Sequence, residues 1–103
     1  MQSAEHPTGE TDRVRALHAL QILDTIEEER FDRITRIAAR LFNVPVVLVS
    51  LVDSHRQWFK SHHGTDTCET SRDVSFCAHA ILGSETMVVN DALADERFRD
   101  NPL

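Results

Sequence analysis

The sequence predicts an α+β (mixed α/β) domain. Three observations carry that expectation. Apolar residues recur at helical spacing over 26–42, an aliphatic run fills 46–53, and an alternating stretch over 57–62 follows it across a polar turn. The chain has 103 residues, enough for one domain with a small core.

Residues 1–10 hold almost no large apolar side chains and read as a disordered tail. Over 11–23, Val14, Leu17 and Leu20 recur at helical spacing, with Ile22 and Leu23 closing the block, so a first helix is expected there. Thr25-Ile26-Glu27-Glu28 has the form of a capping box, in which a hydroxyl and a carboxylate satisfy free amides at a helix start. The helix predicted over 26–42 carries Phe31, Ile34, Ile37, Ala38, Leu41 and Phe42 as one apolar stripe, expected to face the core. Asn43 and Pro45 end it.

The run 46–53 is too short for a typical helix and too uniformly apolar for a one-sided strand; a central strand covered on both faces is expected. Asp53-Ser54-His55 reads as a turn. Strand 57–62 then places Trp58, Lys60 and His62 on one face and Gln57, Phe59 and Ser61 on the other, in a hairpin with the first strand. The segment from His63 to Asp73 has no period and reads as a loop of the length that often has a task. A short helix follows over 76–82, with Ser75 as its cap and Gly83 as its stop, and then a strand over 86–89. Residues 90–100 are polar, with Phe98 as an anchor.

The formal charge of −6, from 17 acidic against 11 basic residues, argues against nucleic acid, because that binding rests on Lys and Arg neutralising phosphates. No basic run suits an anionic membrane, and the longest apolar stretch, Val44 to Val52, is far too short to span a bilayer. The polar start has no signal-peptide pattern, and Cys68 and Cys77 do not make a disulfide framework. A cytoplasmic protein is the expectation.

Cys77 and His79 invite a nucleophile–base reading. Residues two apart on a helix point in different directions, however, and a small buried thiol is the plainer account. Zinc is not expected: Cys68, Cys77, His62, His63 and His79 contain no tight Cys-x-x-Cys pair. Trp58, Phe59 and Lys60 could line a pocket or form an ordinary half-buried hairpin. Asp91 could accept a ligand hydrogen bond, but an Asx turn is favoured. Arg97 reads as a solvated surface group.

The motifs narrow the family. Leu20-Gln21-Ile22-Leu23-Asp24-Thr25 and Phe31-Asp32-Arg33-Ile34 are followed by Ser50-Leu51-Val52-Asp53 and Arg56-Gln57-Trp58-Phe59-Lys60-Ser61. Then come Ser75-Phe76-Cys77-Ala78-His79-Ala80-Ile81, Met87-Val88-Val89-Asn90-Asp91-Ala92 and Asp95 to Leu103. Together they resemble a GAF domain, of the subgroup at the start of bacterial sensor histidine kinases and diguanylate cyclases. The resemblance implies a PAS-related antiparallel sheet flanked by helices. It covers 11–103 as an incomplete domain, truncated before the last central strands, either a fragment or a chain completed by another copy. It implies a small-molecule-sensing or dimerisation module, not an enzyme. The module would have a small-molecule ligand, a homodimeric partner and an output domain in the same full-length chain. Trp58, Phe76, Cys77 and His79 would line the pocket, with Asp91 as a further contact, between one sheet face and the segment Gly64 to Leu82. No cofactor is identified. Val14, Leu17 and Leu20 would serve either a dimer or the domain's own sheet. Two other readings stand beside it. One is a redox protein, resembling the free methionine-R-sulfoxide reductases or a thiol sensor, using Cys77. In that family a reactive cysteine occupies the stretch matching Asp95 to Asn101, which has none here. The other is a purely structural assembly module.

Overall fold

Glycine 9 sits in the left-handed region at φ 78, and helix α1 (Glu10–Ala19) starts directly after it in the computed structural model, which describes residues 1–102. Leu103, the last residue of the Asp95–Leu103 motif, lies outside the described residues. Leu17 alone on α1 is buried, while Leu20 is exposed, so the expected apolar face is one residue wide. The helix stops short of Leu23 because Gln21 (φ 52) and Asp24 (φ 59) adopt left-handed backbone that no helix continues through. The expected tail is not separate from the fold. Gln2 N donates to Arg97 O at 3.0 Å, Ser3 Oγ to Asp73 at 3.3 Å, and Glu10 belongs to α1.

Helix α2 spans Glu29–Phe42, and the predicted capping box does not form: its N-cap is Glu28, with no side-chain cap bond. A buried ammonium takes those groups instead. Lys60, with a side chain 0% exposed, reaches Glu28 Oε2 at 2.7 Å and Thr25 Oγ1 at 2.8 Å, and also donates to the Ile26 carbonyl. Water can serve a free helix-end amide, but a buried charge needs fixed partners, so the lysine wins the competition. Asn43 ends α2 at φ 51, a conformation asparagine tolerates.

The stripe predicted as the core face of α2 is not the face on the sheet. Thr35 and Ala39 are the buried residues. Thr35 Oγ1 pairs with Ser61 Oγ at 2.9 Å, and Ser61 Oγ donates to Asp32 Oδ1 at 2.6 Å. Ile34, Ile37 and Leu41 lie roughly 100–160° around the helix from Thr35, at 100° per residue. They are exposed.

Three antiparallel strands make one sheet in the order β1-β2-β3: β1 (Val47–Val52), β2 (Arg56–His63) and β3 (Glu69–Ser71). Strand β1, expected to be central, therefore lies at an edge among the described residues. Strand β3 falls inside the segment predicted as loop; it forms because β2 offers it a ladder, Gln57 opposite Thr70 and Trp58 opposite Glu69. Gly64, at φ 84, passes so close to the α2–β1 link that a Cβ there would stand 1.8 Å from Pro45 O.

A bulge corrects the predicted faces of β2. Val49 pairs with Ser61, but Ser50 pairs with Phe59, leaving Lys60 as the extra residue. Facing partners share a side of the sheet, so alternation reverses across Lys60. Trp58 joins Ser61 on the α2 side, while Gln57, Phe59 and His62 take the other. Gln57 Nε2 donates there to Thr70 Oγ1 at 3.3 Å.

After a 3-10 turn at Arg72–Val74, helix α3 covers Phe76–Ala80 only, two residues short of expectation. Ser75 caps it as predicted: its Oγ accepts from Ala78 N at 3.1 Å and donates to Gln57 Oε1 at 2.7 Å. The strand expected over 86–89 does not form. A strand needs a ladder, and no described residue pairs with this segment, whose Val88 is exposed. Phe98 is the anchor that was expected, 1% exposed. The core holds Leu17, Val52, Trp58, Phe59, Ala78 and Phe98 beside the buried polar residues Asp53, Gln57, Lys60, Ser61, Arg72 and Ser75. Its side-chain polar atoms are paired apart from Arg72 Nη2, which is buried without a hydrogen-bond partner among the described residues.

Candidate functional site

Helix α1 meets the sheet mainly through charge. Arg13 donates to Glu10 through Nε and Nη2, both at 2.8 Å, and to the carbonyl of Val52 at the end of β1. Arg72, itself buried, reaches the same Glu10 carboxylate and donates to Asp53 O at 3.0 Å. Hydrogen bonds from Arg13 and Arg72 hold the Glu10 carboxyl down at about 2. One layer out, His18 Nε2 lies 2.7 Å from Asp53 Oδ1, and Arg56 Nε donates to Asp53 Oδ2 at 3.2 Å. Burial pushes the Asp53 carboxyl up, but His18, the Ser54 amide and Arg56 outweigh it and hold the group below its usual value. Arg56 also grips Asp24 with two bonds of 2.7 Å, which lowers the Asp24 carboxyl. The left-handed backbone at Asp24 turns its carboxylate to that bidentate geometry.

A cleft of about 380 Å³ opens here, lined by Leu17, His18, Gln21, Asp24, Asp53 and Arg56. It joins three pieces of chain: α1, the 20–25 link and the β1–β2 turn. The paired carboxylates and the guanidinium suit a small polar molecule that can both donate and accept hydrogen bonds. The sequence reading treated Asp53 only as part of a turn and Asp24 only as a break. The available signal was Asp53 three residues before Arg56, with a second acid, Asp24, ahead of α2.

The residues expected to line a pocket are divided by the fold. Phe76 stacks on Phe98 with centroids 4.3 Å apart, and His79 meets the same ring edge-on at 5.0 Å. His79 Nε2 lies 2.9 Å from Gln2 O, so its ring is committed to Phe98 and the N-terminal segment. Cys77 is half-buried and is a free thiol, as is the exposed Cys68. Trp58 is on the opposite side of the sheet by register, beside a cleft of about 310 Å³ lined also by Thr25, Glu27, Lys60, His62 and Cys68. Asp91 Oδ1 accepts from Leu93 N at 3.0 Å, the Asx turn. Arg97 pairs with Asp95 at 2.8 Å, holds that carboxyl at about 2, and lies over the Phe98 ring at 4.8 Å. The structure thus brings Phe76 and His79 together and leaves Trp58 and Asp91 elsewhere.

No helix among the described residues is long and apolar enough to cross a membrane. Residues 27–103 match the family model of the GAF domain. The chain is also 40% identical, over 102 residues, to a cyclic di-GMP phosphodiesterase of Pseudomonas aeruginosa. That alignment takes in 99% of this chain and 17% of the relative, so the chain spans about a sixth of that protein's length.

Proposed function

The chain belongs to the GAF domain family, the regulatory modules of signal transduction, and on that premise we propose that it senses a small molecule, pairs with a second copy and controls an output domain of the same polypeptide. The relative's name points to an output in cyclic di-GMP turnover. The observation that supports sensing is the charged cleft where α1, the 20–25 link and the β1–β2 turn meet. A polar ligand entering it competes for His18–Asp53 and Arg56–Asp24, the contacts that dock α1 and the link. A ligand that binds one docking state better shifts the population toward it, and α1 carries the change onward. Phe76, Cys77 and His79 are the alternative ligand wall; Phe98 packs against two of them, so a ligand there must displace it.

The test is native mass spectrometry of the chain purified from bacteria, alongside Arg56→Ala and His79→Ala. A retained small molecule lost only in Arg56→Ala supports the cleft. Loss only in His79→Ala moves the site to α3. A chain that emerges bare, with α1 amide exchange unchanged by cell extract, refutes sensing and leaves assembly.

A further inference from the structure

Arg72 is 5% exposed, and its two terminal nitrogens differ. Nη1 reaches the Glu10 carboxylate and donates to Asp53 O at 3.0 Å. Nη2 is buried and has no hydrogen-bond partner among the described residues. A buried donor on a charged group that finds no acceptor carries its full desolvation cost. Arg72 also lines a hollow of about 130 Å³ whose other walls are Ala4, His6, Ser54, His55 and Asp73. Three pieces of chain close it: the N-terminal segment, the β1–β2 turn and the 3-10 turn. It shares no lining residue with the charged cleft.

We propose that this hollow binds a phosphate group, held at its base by Arg72 and at its rim by His6 and His55. Charge supports an anion. Arg13 and Arg72 share one carboxylate, Glu10, so two positive charges meet one negative and one is left over. The neighbouring Asp53 carboxylate is taken by His18 and Arg56. A water would meet the hydrogen-bond demand of Nη2 but not that charge. The rim adds donors. His6 and His55 are exposed, and neither ring has a hydrogen bond or ion pair among the described residues. Each imidazole carries at least one N–H donor, and Ser54 brings a hydroxyl. Shape selects phosphate over carboxylate. A carboxylate pairs best with both prongs of a guanidinium fork, and Nη1 is already committed. Separate donors from three segments suit the diverging oxygens of a tetrahedral anion. Asp73 is the opposing charge in the lining, and its Oδ1 accepts from Ser3 Oγ at 3.3 Å. The wall can yield. Residues 4–6 make no hydrogen bond or ion pair among the described residues, so a small shift of Ala4 and His6 bares Nη2 to an entering oxygen.

Proton–nitrogen NMR of the 103-residue chain, titrated with sodium phosphate at constant ionic strength, tests this. Saturable shifts are expected at residues 4–6, 54–55 and 72–73, with a Kd on the order of 1 mM. Glycerol 3-phosphate in a parallel titration separates the sources. Equal affinity supports the proposal with a phosphate monoester as ligand, and binding of inorganic phosphate alone supports it with the free ion. His55→Ala should weaken phosphate about threefold and Asp73→Asn should tighten it by a similar factor, the size of exposed charge effects. Both residues are exposed, and unchanged circular dichroism would show that the fold is kept. Shifts absent at about 20 mM phosphate, acetate binding as tightly as phosphate, or an affinity equal in parent and both variants overturns the proposal. Each of those outcomes leaves the charged cleft and its native mass spectrometry test untouched.

Discussion

Removing the Ser61 hydroxyl tests how α2 is held on the sheet. Ser61 is 1% exposed and Thr35 2%, and the serine joins two groups on α2: the Thr35 hydroxyl at 2.9 Å and the Asp32 carboxylate at 2.6 Å. Ser61→Ala removes one neutral bond and one charge-assisted bond. A neutral bond is worth about 1 kcal/mol net and a bond to a charge about 1.5–3 kcal/mol. Asp32 is half-buried and recovers part of its loss from water, so the expected cost is about 2 kcal/mol. For a domain of this size that lowers Tm by roughly 8–16 °C. Thr35→Val leaves the Ser61–Asp32 bond and removes the one proton of the Thr35 hydroxyl, which Ser61 Oγ and the Asp32 carbonyl share at 2.9 and 3.0 Å. Its expected cost is about 1 kcal/mol. The double variant should cost less than the sum, with a coupling of about 1 kcal/mol. Urea unfolding followed by Trp58 fluorescence reads all four proteins, because the tryptophan is buried on the same side of the sheet. Additive single costs, or a Ser61→Ala protein within about 0.3 kcal/mol of the parent, would refute docking by this hydroxyl pair.

Three further outcomes follow from particular contacts. Glu10 titrates near 2 in the fold against 4.5 unperturbed, so its contribution is complete above 4.5 and fades as pH falls toward 2. Acid unfolding monitored between pH 5 and 2 should be shallower in Glu10→Gln, and an unchanged slope would refute the arginine clamp. Gly64→Ala puts a methyl 1.8 Å from Pro45 O at φ 84 and should cost on the order of 3 kcal/mol, against well under 1 for Gly83→Ala, whose surroundings are open. Denaturant midpoints of the two variants decide it. Arg56→Lys keeps the charge but loses the bidentate grip on Asp24. Amide exchange over 20–25 should accelerate while β2 amides hold, and equal acceleration in both would point to general loosening.

The elements with strong local signals were legible. Helix α2, the β1–β2 hairpin, the Ser75 cap and the Phe98 anchor all follow from periodicity, turn chemistry or an isolated aromatic. The losses came where a distant group outbid a local one. Thr25 and Glu28 look like a cap until the Lys60 ammonium takes both. Residues 86–89 look like a strand, but a ladder requires a partner that no local pattern reveals. The site suffered most from one bulge. A single extra residue at Lys60 put Trp58 on the same side of the sheet as Ser61, the α2 side, where strict alternation had set the two on opposite faces. Period-two reasoning cannot detect that slip from within one strand.

The polar underside of α2 and its bare aliphatic flank belong to one design. An apolar underside would let the helix roll on the sheet, because apolar contact is non-directional. Thr35, Asp32 and Ser61 instead fix its rotation through directional bonds, and that rotation turns the side carrying Ile34, Ile37 and Leu41 away from the sheet. The ionic contacts of α1 follow the same logic at the other end of the sheet. His18 and Asp53 hold that helix by groups that line the charged cleft, Glu10 holds it through Arg72, and Leu17 alone anchors it by burial. One helix is thus fixed by buried directional bonds and the other by partly exposed ionic ones. Ser61→Ala should therefore speed amide exchange in α2 before it disturbs α1, and Arg56→Lys should do the reverse.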